Sequence, residues 1–424
     1  MKGYKQRIAD RMLERRLAGM GAVLIEGPKW CGKTTTAVQQ AKTVLYLDDP
    51  AQLKHNINMA DINPAALLEG TPPVLIDEWQ LAPKLWDAIR FEVDRKGRPG
   101  MYILTGSAVP AKTDDIHHSG TGRFAWLTMR PMSLYESGES NGAVSVEALF
   151  ADPRQVTGRN SLSLEDVAYL ICRGGWPYST MMSKELSLDQ AKYYYDGVVR
   201  SDISRVDGVR RNTELVKRLM RSYARHQGTQ ATISTIVDDI RANDVEAADA
   251  KTISSYIEAL KKIFVIEDSA AWNPNLRSKS AIRTSDTRYF VDPSIAVAAL
   301  GLGPDDLMAD LNTMGLLFET LCIRDLRVFA DALDGQIYHF RDRTGLECDA
   351  VMHLRNGKYG LIEVKLGGDA LIEEGATTLK CLAQRIDTGR MKSPSFLMVL
   401  TATGRFAYKR DDGVCIVPVG CLKN

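Results

Sequence analysis

The sequence has almost no net charge, no closely spaced cysteine pair and no long apolar run. Lysines and arginines number 54 against 53 aspartates and glutamates, a net charge of +1. An overall basic field of the kind that gathers nucleic acid is excluded, and any such contact has to come from a local patch. The seven cysteines, Cys31, Cys172, Cys322, Cys348, Cys381, Cys415 and Cys421, are odd in number and include no C-x-x-C. That argues against a disulfide framework or zinc site and for a reducing cytoplasm. No apolar run approaches ~18 residues, and Met1 to Leu17 is too charged for a secretory signal, so neither membrane spanning nor export is expected. At 424 residues the chain exceeds what one core usually supports, and two or three domains are expected.

What is present is chemistry at two places. The first is Gly27-Pro28-Lys29-Trp30-Cys31-Gly32-Lys33-Thr34, a complete G-x-x-x-x-G-K-[ST] phosphate-binding loop. Apolar Ala22 to Ile25 precede it, and Thr35 to Lys42 can continue as a helix, the strand, loop and helix context that the motif requires. Backbone N–H groups and a helix N-terminus would meet the phosphates of ATP or ADP, Lys33 would reach the β and γ phosphates, and Thr34 would ligate Mg²⁺. Further on, Val74-Leu75-Ile76-Asp77-Glu78 is an apolar strand ending in two acids. Asp77 would hold Mg²⁺ and Glu78 would polarise the attacking water. Alone, two such acids read equally well as a helix cap. A third apolar strand, Met101 to Leu104, closes on Thr105-Gly106-Ser107, which makes Thr105 and Ser107 candidate γ-phosphate sensors. Residues 1 to 20 read as a basic amphipathic helix with its arginines on a solvated face.

These three strand ends resemble the AAA+ ATPases, and Gly122-Arg123 with Gly174-Gly175-Trp176-Pro177 sharpens the likeness to AAA-type ATPases fused to a restriction-endonuclease-like domain. The resemblance implies a lid over the nucleotide in which Pro177 contacts adenine or ribose. It also implies that Arg123 is a finger arginine supplied to a neighbouring subunit's ATP, hence a homo-oligomer.

From Asn212 apolar residues recur at helical spacing: Leu215, Leu219 and Tyr223, then Ile233, Ile236, Val237 and Ile240, then Ile253, Ile257, Leu260 and Phe264. Three short helices followed by β-prone runs read as a winged-helix-like module. Arg218, Arg221 and Arg225 on its first helix, or Lys251, Lys261 and Lys262 on its third, are either a DNA contact or a solvated face.

The second chemical constellation is Glu347 to Leu354, a turn, and Tyr359 to Lys365, a hairpin bearing D…E-x-K. A two-residue Asn356-Gly357 turn would send Asp349 and Glu363 to opposite faces. A three-residue loop, Arg355 to Gly357 with Gly357 left-handed, pairs Asp349 with Glu363, and this register is expected because it separates apolar from charged positions. Asp349 and Glu363 are then hard oxygen ligands for Mg²⁺, with Lys365 beside them. A salt-bridged Glu363 and Lys365 on a sheet face is the bland alternative. The pattern resembles the PD-(D/E)xK nuclease core, in which Glu319, on a helix expected over Thr313 to Ala330, matches the helix acid.

The expected fold is α/β. It comprises a P-loop parallel-sheet AAA+ core (1–135), a helical lid (136–210), the winged-helix-like module (211–300) and a C-terminal α/β restriction-endonuclease-like domain (301–424). The expected function is ATP hydrolysis that controls a DNA-directed, Mg²⁺-dependent nuclease-like domain.

Overall fold

A computed structural model describes residues 3–106, 118–242, 249–273, 285–389 and 391–424. The chain divides into two compact units rather than four consecutive segments. The first holds Met1–Pro131, Val198–Arg211 and Tyr256–Val265; the second holds Met132–Gly197, Asn212–Ser255 and Ile266–Asn424. The segments expected at 1–135, 136–210, 211–300 and 301–424 are distributed over these two units. Most of the stretch assigned to a lid belongs to the second unit, because its contacts are made there and not by its sequence neighbours.

The first unit opens with α1 (Ile8–Gly19), β1 (Ala22–Glu26), α2 (Lys33–Gln40), β2 (Thr43–Tyr46), α3 (Leu53–Ile62), β3 (Val74–Asp77), α4 (Leu85–Lys96), β4 (Tyr102–Gly106) and β5 (Phe124–Thr128). Its five strands lie in the order β2-β3-β4-β1-β5, and every pairing is parallel. Val74–Asp77 and Tyr102–Gly106 are buried throughout, as strands covered by helices on both faces must be. One face packs Leu24, Ile76, Leu104 and Trp86; the other packs Leu13, Val23, Leu75 and Ile103. The loops that leave β1 and β3 lie at the carboxyl edge, where β4 also ends and where open α/β sheets build their sites.

In the second unit, α5 (Leu164–Arg173) and α6 (Lys184–Gly197) precede three helices that match the periodic stretches: α7 (Thr213–Arg225), α8 (Ile233–Arg241) and α9 (Ala250–Lys262). The division between units falls within α9, at Ser255 and Tyr256. Beyond it, Ile266 with Phe290 and Ser269 with Thr287 form isolated antiparallel bridges. The helix expected over Thr313 to Ala330 runs longer, as α10 (Leu311–Ala332), capped by the Asp310 side chain.

A seven-stranded mixed sheet follows, made of β6 (Gly158–Arg159), β7 (Gly335–Arg341), β8 (Glu347–Leu354), β9 (Tyr359–Lys365), β10 (Phe396–Thr401), β11 (Phe406–Lys409) and β12 (Cys415–Pro418), with α11 (Asp369–Arg385) before β10. Its order is β6-β11-β12-β10-β9-β8-β7, with β9-β10 and β10-β12 parallel and the rest antiparallel. Val351, Leu361 and Val399 pack against Ala376, Leu379 and Leu382 of α11. Among the described residues, no helix is long and apolar enough to cross a membrane.

Candidate functional site

The phosphate loop is built by glycines that nothing else can replace. Gly27 has φ +146°, and a Cβ there would lie 2.0 Å from the Met129 carbonyl oxygen. Trp30 (φ +66°) and Gly32 (φ +99°) are both left-handed, with Cys31 between them. Alternation of this kind turns backbone N–H groups into a concave anion cradle. Lys33 begins α2 and is 7% exposed; its Nζ donates to the carbonyls of Gly27 at 2.9 Å and Pro28 at 2.8 Å. Pro28 is buried, Trp30 is half exposed, and Lys29 pairs with Asp202 at 2.6 Å. Thr35 follows in the first turn of α2, where its carbonyl accepts from Gln39.

Asp77, 6% exposed at the end of β3, accepts the Thr34 hydroxyl at 2.8 Å and a short hydrogen bond from the Thr105 hydroxyl. Thr105, a candidate γ-phosphate sensor, donates to this acid. Strands β3 and β4 pair Asp77 with Thr105 directly, and that register explains the contact. Ser107 lies outside the described residues. Glu78 is left-handed (φ +55°) and accepts from the Gln80 amide. Burial pushes its carboxyl pKa up, while Gln80 and the Lys33 charge oppose the rise. The set fits a magnesium nucleotide: a cradle too tight for a Cβ, an ammonium held over the loop by exchangeable carbonyl bonds, and a hydroxyl–carboxylate pair of hard oxygens.

Arg123 does not join this cluster. It immediately precedes β5, and its carbonyl accepts from Ala22 at the amino edge of the sheet, one five-residue strand (roughly 17 Å) away from the loop. Its guanidinium binds Asp94 at 2.7 Å and the Thr121 carbonyl at 3.1 Å. The Gly174–Pro177 loop belongs to the second unit. There the Gly175 N–H donates to Asp292, the Trp176 indole N–H donates to Ser294, and Trp176 stacks on Tyr194. Asp292 in turn binds the fully buried Arg324 of α10 at 2.9 Å.

The second constellation assembles in the expected register. The ladder pairs Tyr359 with His353, Leu361 with Val351 and Ile362 with Ala350, where it ends; the next positions in that register are Asp349 and Glu363. The Leu354 N–H donates to Lys358 across a three-residue loop in which Gly357 has φ +80°. An added feature, a β-bulge, was not visible in the sequence. Tyr338 pairs with Val351 and Phe340 with Cys348, so His339 alone faces the two residues Asp349 and Ala350. The Asp349 carboxylate accepts the Val364 N–H at 2.7 Å.

Glu363 is 3% exposed, and Lys365 lies 3.2 Å from it and 3.5 Å from Glu374. Glu319 of α10 accepts the hydroxyl of fully buried Tyr289. Burial first, then the neighbouring Asp349 charge, hold Glu319 and Glu363 well above the ordinary carboxyl range. Burial also raises Asp349, against the pull of Lys365. Burial alone would lower the Lys365 ammonium, and the charges of Glu363 and Asp349 more than reverse it. A cavity of about 140 Å³ borders Glu319, Asp349, Glu347, Tyr289 and His339.

Among the described residues, no group of three or more His, Cys, Asp or Glu side chains is arranged to hold a metal ion. Glu319 borders the same cavity as Asp349. The Asp349 and Glu363 carboxyls form a two-acid pair with Lys365 beside Glu363. Such a pair suits Mg²⁺, which keeps several waters and takes one or two carboxylates together with substrate phosphate.

Residues 20–138 match the family model of an AAA domain. The first unit thus carries an AAA-type ATPase domain, a class that binds and hydrolyses ATP. Residues 164–306 and 314–422 match two domains of unknown function, DUF8612 and DUF4143. The uncharacterized proteins Rv2008c of Mycobacterium tuberculosis and Mb2031c of Mycobacterium bovis are each 25% identical over 365 residues, 85% of this chain and 74% of theirs. Among solved structures, the Walker-type ATPase PABY2304 of Pyrococcus abyssi is 14% identical with TM-score 0.41, covering 70% of this chain and 96% of that one. RuvB of Thermotoga maritima is 15% identical with TM-score 0.27, covering 62% and 86%.

Sequence reasoning missed Arg7, Gln80 and Asp202 around the loop, and Tyr289 and His339 around the second acids. Gln80 stands two residues from Glu78 and was open to notice. The others reach their partners across distant stretches of chain, which no local pattern signals.

Proposed function

We propose that the chain is an ATP hydrolase whose nucleotide state controls a DNA-directed, Mg²⁺-dependent nuclease-like second unit, acting as a cytoplasmic homo-oligomer. Lys33 and the loop N–H groups bind the phosphates, Thr34 and Asp77 hold the hydrated cation, and Thr105 fixes Asp77. Glu78 orients the attacking water and takes its proton, and burial makes its carboxylate a stronger base than an exposed one. Arg123 completes the ATP site of a neighbouring copy, since it stands at the wrong edge to serve its own. In the second unit Asp349 and Glu363 face a scissile phosphate with Lys365 beside them. Mg²⁺ bound there supplies Lewis-acid polarisation of the phosphoryl oxygen. The observation that carries the nuclease half is the convergence of Asp349, Glu363 and Lys365 through the register of one hairpin. DNA contact is assigned to the exposed Arg218, Arg221 and Lys251, whose helices resemble a winged-helix module.

Lys33→Ala or Glu78→Ala abolishes ATP turnover. Lys365→Ala abolishes DNA cleavage in Mg²⁺ while ATP turnover survives. Wild-type protein that cuts no nucleic acid in any nucleotide state defeats the nuclease half.

A second reading has an observation of its own. Glu363 is paired with Lys365, Asp349 with the Val364 N–H and Glu319 with Tyr289, so each acid already has a protein partner. On that reading the second unit only recognises a partner, and ATP acts as a binding switch. Slow turnover with tight ADP retention, and no Mn²⁺ bound at Asp349 and Glu363, distinguish it from the first.

A further inference from the structure

The turn before α1 is not the solvated basic face that the sequence suggests. Arg7 is 5% exposed, and its guanidinium spans two distant carbonyls: Nη1 donates to Cys31 at 2.7 Å and Nη2 to Arg130 at 2.8 Å. We propose that Arg7 is a positioning residue of the ATP site, a strut that keeps the phosphate loop in its phosphate-receiving form. This rests on the reading of residues 27–34 as the site of ATP hydrolysis.

Cys31 lies between left-handed Trp30 and Gly32. Trp30 carries a Cβ, so its conformation is costly and persists only where the surroundings fix it. The same alternation that turns N–H groups toward a phosphate turns a carbonyl outward. In this loop the Cys31 carbonyl meets a charged donor. The far end of the strut is equally firm, because Arg130 follows the residue whose carbonyl packs against Gly27, and the Cys31 thiol lies 3.6 Å from that same Met129 carbonyl.

Arg7 is itself braced. Its N–H donates to Asp10 at 2.8 Å, and the Tyr4 hydroxyl donates to the other Asp10 oxygen at 2.6 Å and lies 3.1 Å from Thr36 Oγ1 in α2. A guanidinium fork can serve carbonyls from two segments at once, whereas an ammonium offers one point charge. Arg7 also lies outside the AAA-matched segment, which begins at residue 20.

The test uses the full chain and a fluorescent ADP analogue, with steady-state ATP turnover alongside. Arg7→Ala should bind ADP roughly ten- to a hundredfold more weakly, the equivalent of one or two charge-assisted hydrogen bonds. KM for ATP should rise by a similar factor while kcat at saturation changes far less, because no reacting atom touches Arg7. Added methylguanidinium should restore part of the affinity, which a general loss of stability would not allow. If Arg7→Ala does not fold, Arg7→Lys keeps the charge without the fork and should still bind ADP more weakly than wild type. Variants that bind ADP as wild type does overturn the strut and leave the ATPase reading intact. Wild-type protein that binds no nucleotide overturns both.

Discussion

Gly27→Ala puts the packing of the phosphate loop to a quantitative test. An alanine Cβ would stand 2.0 Å from the Met129 carbonyl oxygen, where ordinary contact begins at 3.4 Å, so the two backbones must part by about 1.4 Å. They are not free to do so. Met129 N–H donates to the Glu26 carbonyl at 2.7 Å, and β1 and β5 pair from Ala22 with Phe124 to Glu26 with Thr128. Losing the terminal hydrogen bond costs about 1 kcal/mol, and forcing φ +146° on an alanine costs about 1–3 kcal/mol more. If the loop bears some 3 kcal/mol of this, ADP affinity falls on the order of a hundredfold. Equilibrium titration with a fluorescent ADP measures it, and thermal unfolding of the same samples separates local from global damage. Gly122→Ala is the control: its φ is also positive, +80°, but nothing lies within 4 Å of an added Cβ. Gly27→Ala protein that binds ADP within about threefold of wild type would refute the packing argument.

Other outcomes follow from single contacts. Thr105→Val keeps the buried volume but removes the hydroxyl that Asp77 accepts; ATP turnover should drop about tenfold with ADP affinity nearly unchanged, as befits a group acting through the metal-holding acid. Asp412 ties the β11–β12 turn to Lys380 of α11 at 2.8 Å, and Arg410 holds its carboxyl down at about 2. A depressed folded-state value gives stability that is present above the unfolded value of 3.8 and lost as pH falls through about 2. Asp412→Asn should therefore remove part of the acid dependence of unfolding in that window and leave neutral ATP turnover untouched. Of the seven cysteines six are buried and Cys381 is exposed, so brief iodoacetamide treatment of native protein should label Cys381 alone by peptide mass mapping.

The parts legible in the sequence were those fixed by neighbours. Gly27 to Thr34 and Asp77 declare themselves because strand, loop and helix follow one another directly. The hairpin register was readable because a left-handed Gly357 leaves few loops to choose from, and Ala350, Met352 and Ile362 admit only one face. What stayed hidden depends on meetings between distant stretches. Arg7 reads as one more surface arginine until Arg130 is folded against it. Gly174 to Pro177 suggested a lid, yet Asp292 and Arg324, both more than a hundred residues onward, draw that loop into the other unit. A strand end can point a hydroxyl anywhere, and only pairing with Asp77 fixed where that of Thr105 went.

The bulge opposite His339 constrains how this hairpin can change over time. Cys348 and Val351 are three apart, an odd spacing that in a regular strand would face them oppositely, yet both enter the core beneath α11. Substitutions along β8 can be absorbed one side chain at a time. A deletion of Ala350 cannot, because it would restore the simple alternation, keep Cys348 and Val351 on one face and turn Asp349 to the other, away from Glu363. Between those two positions it is the number of residues, more than their identity, that inheritance has to preserve.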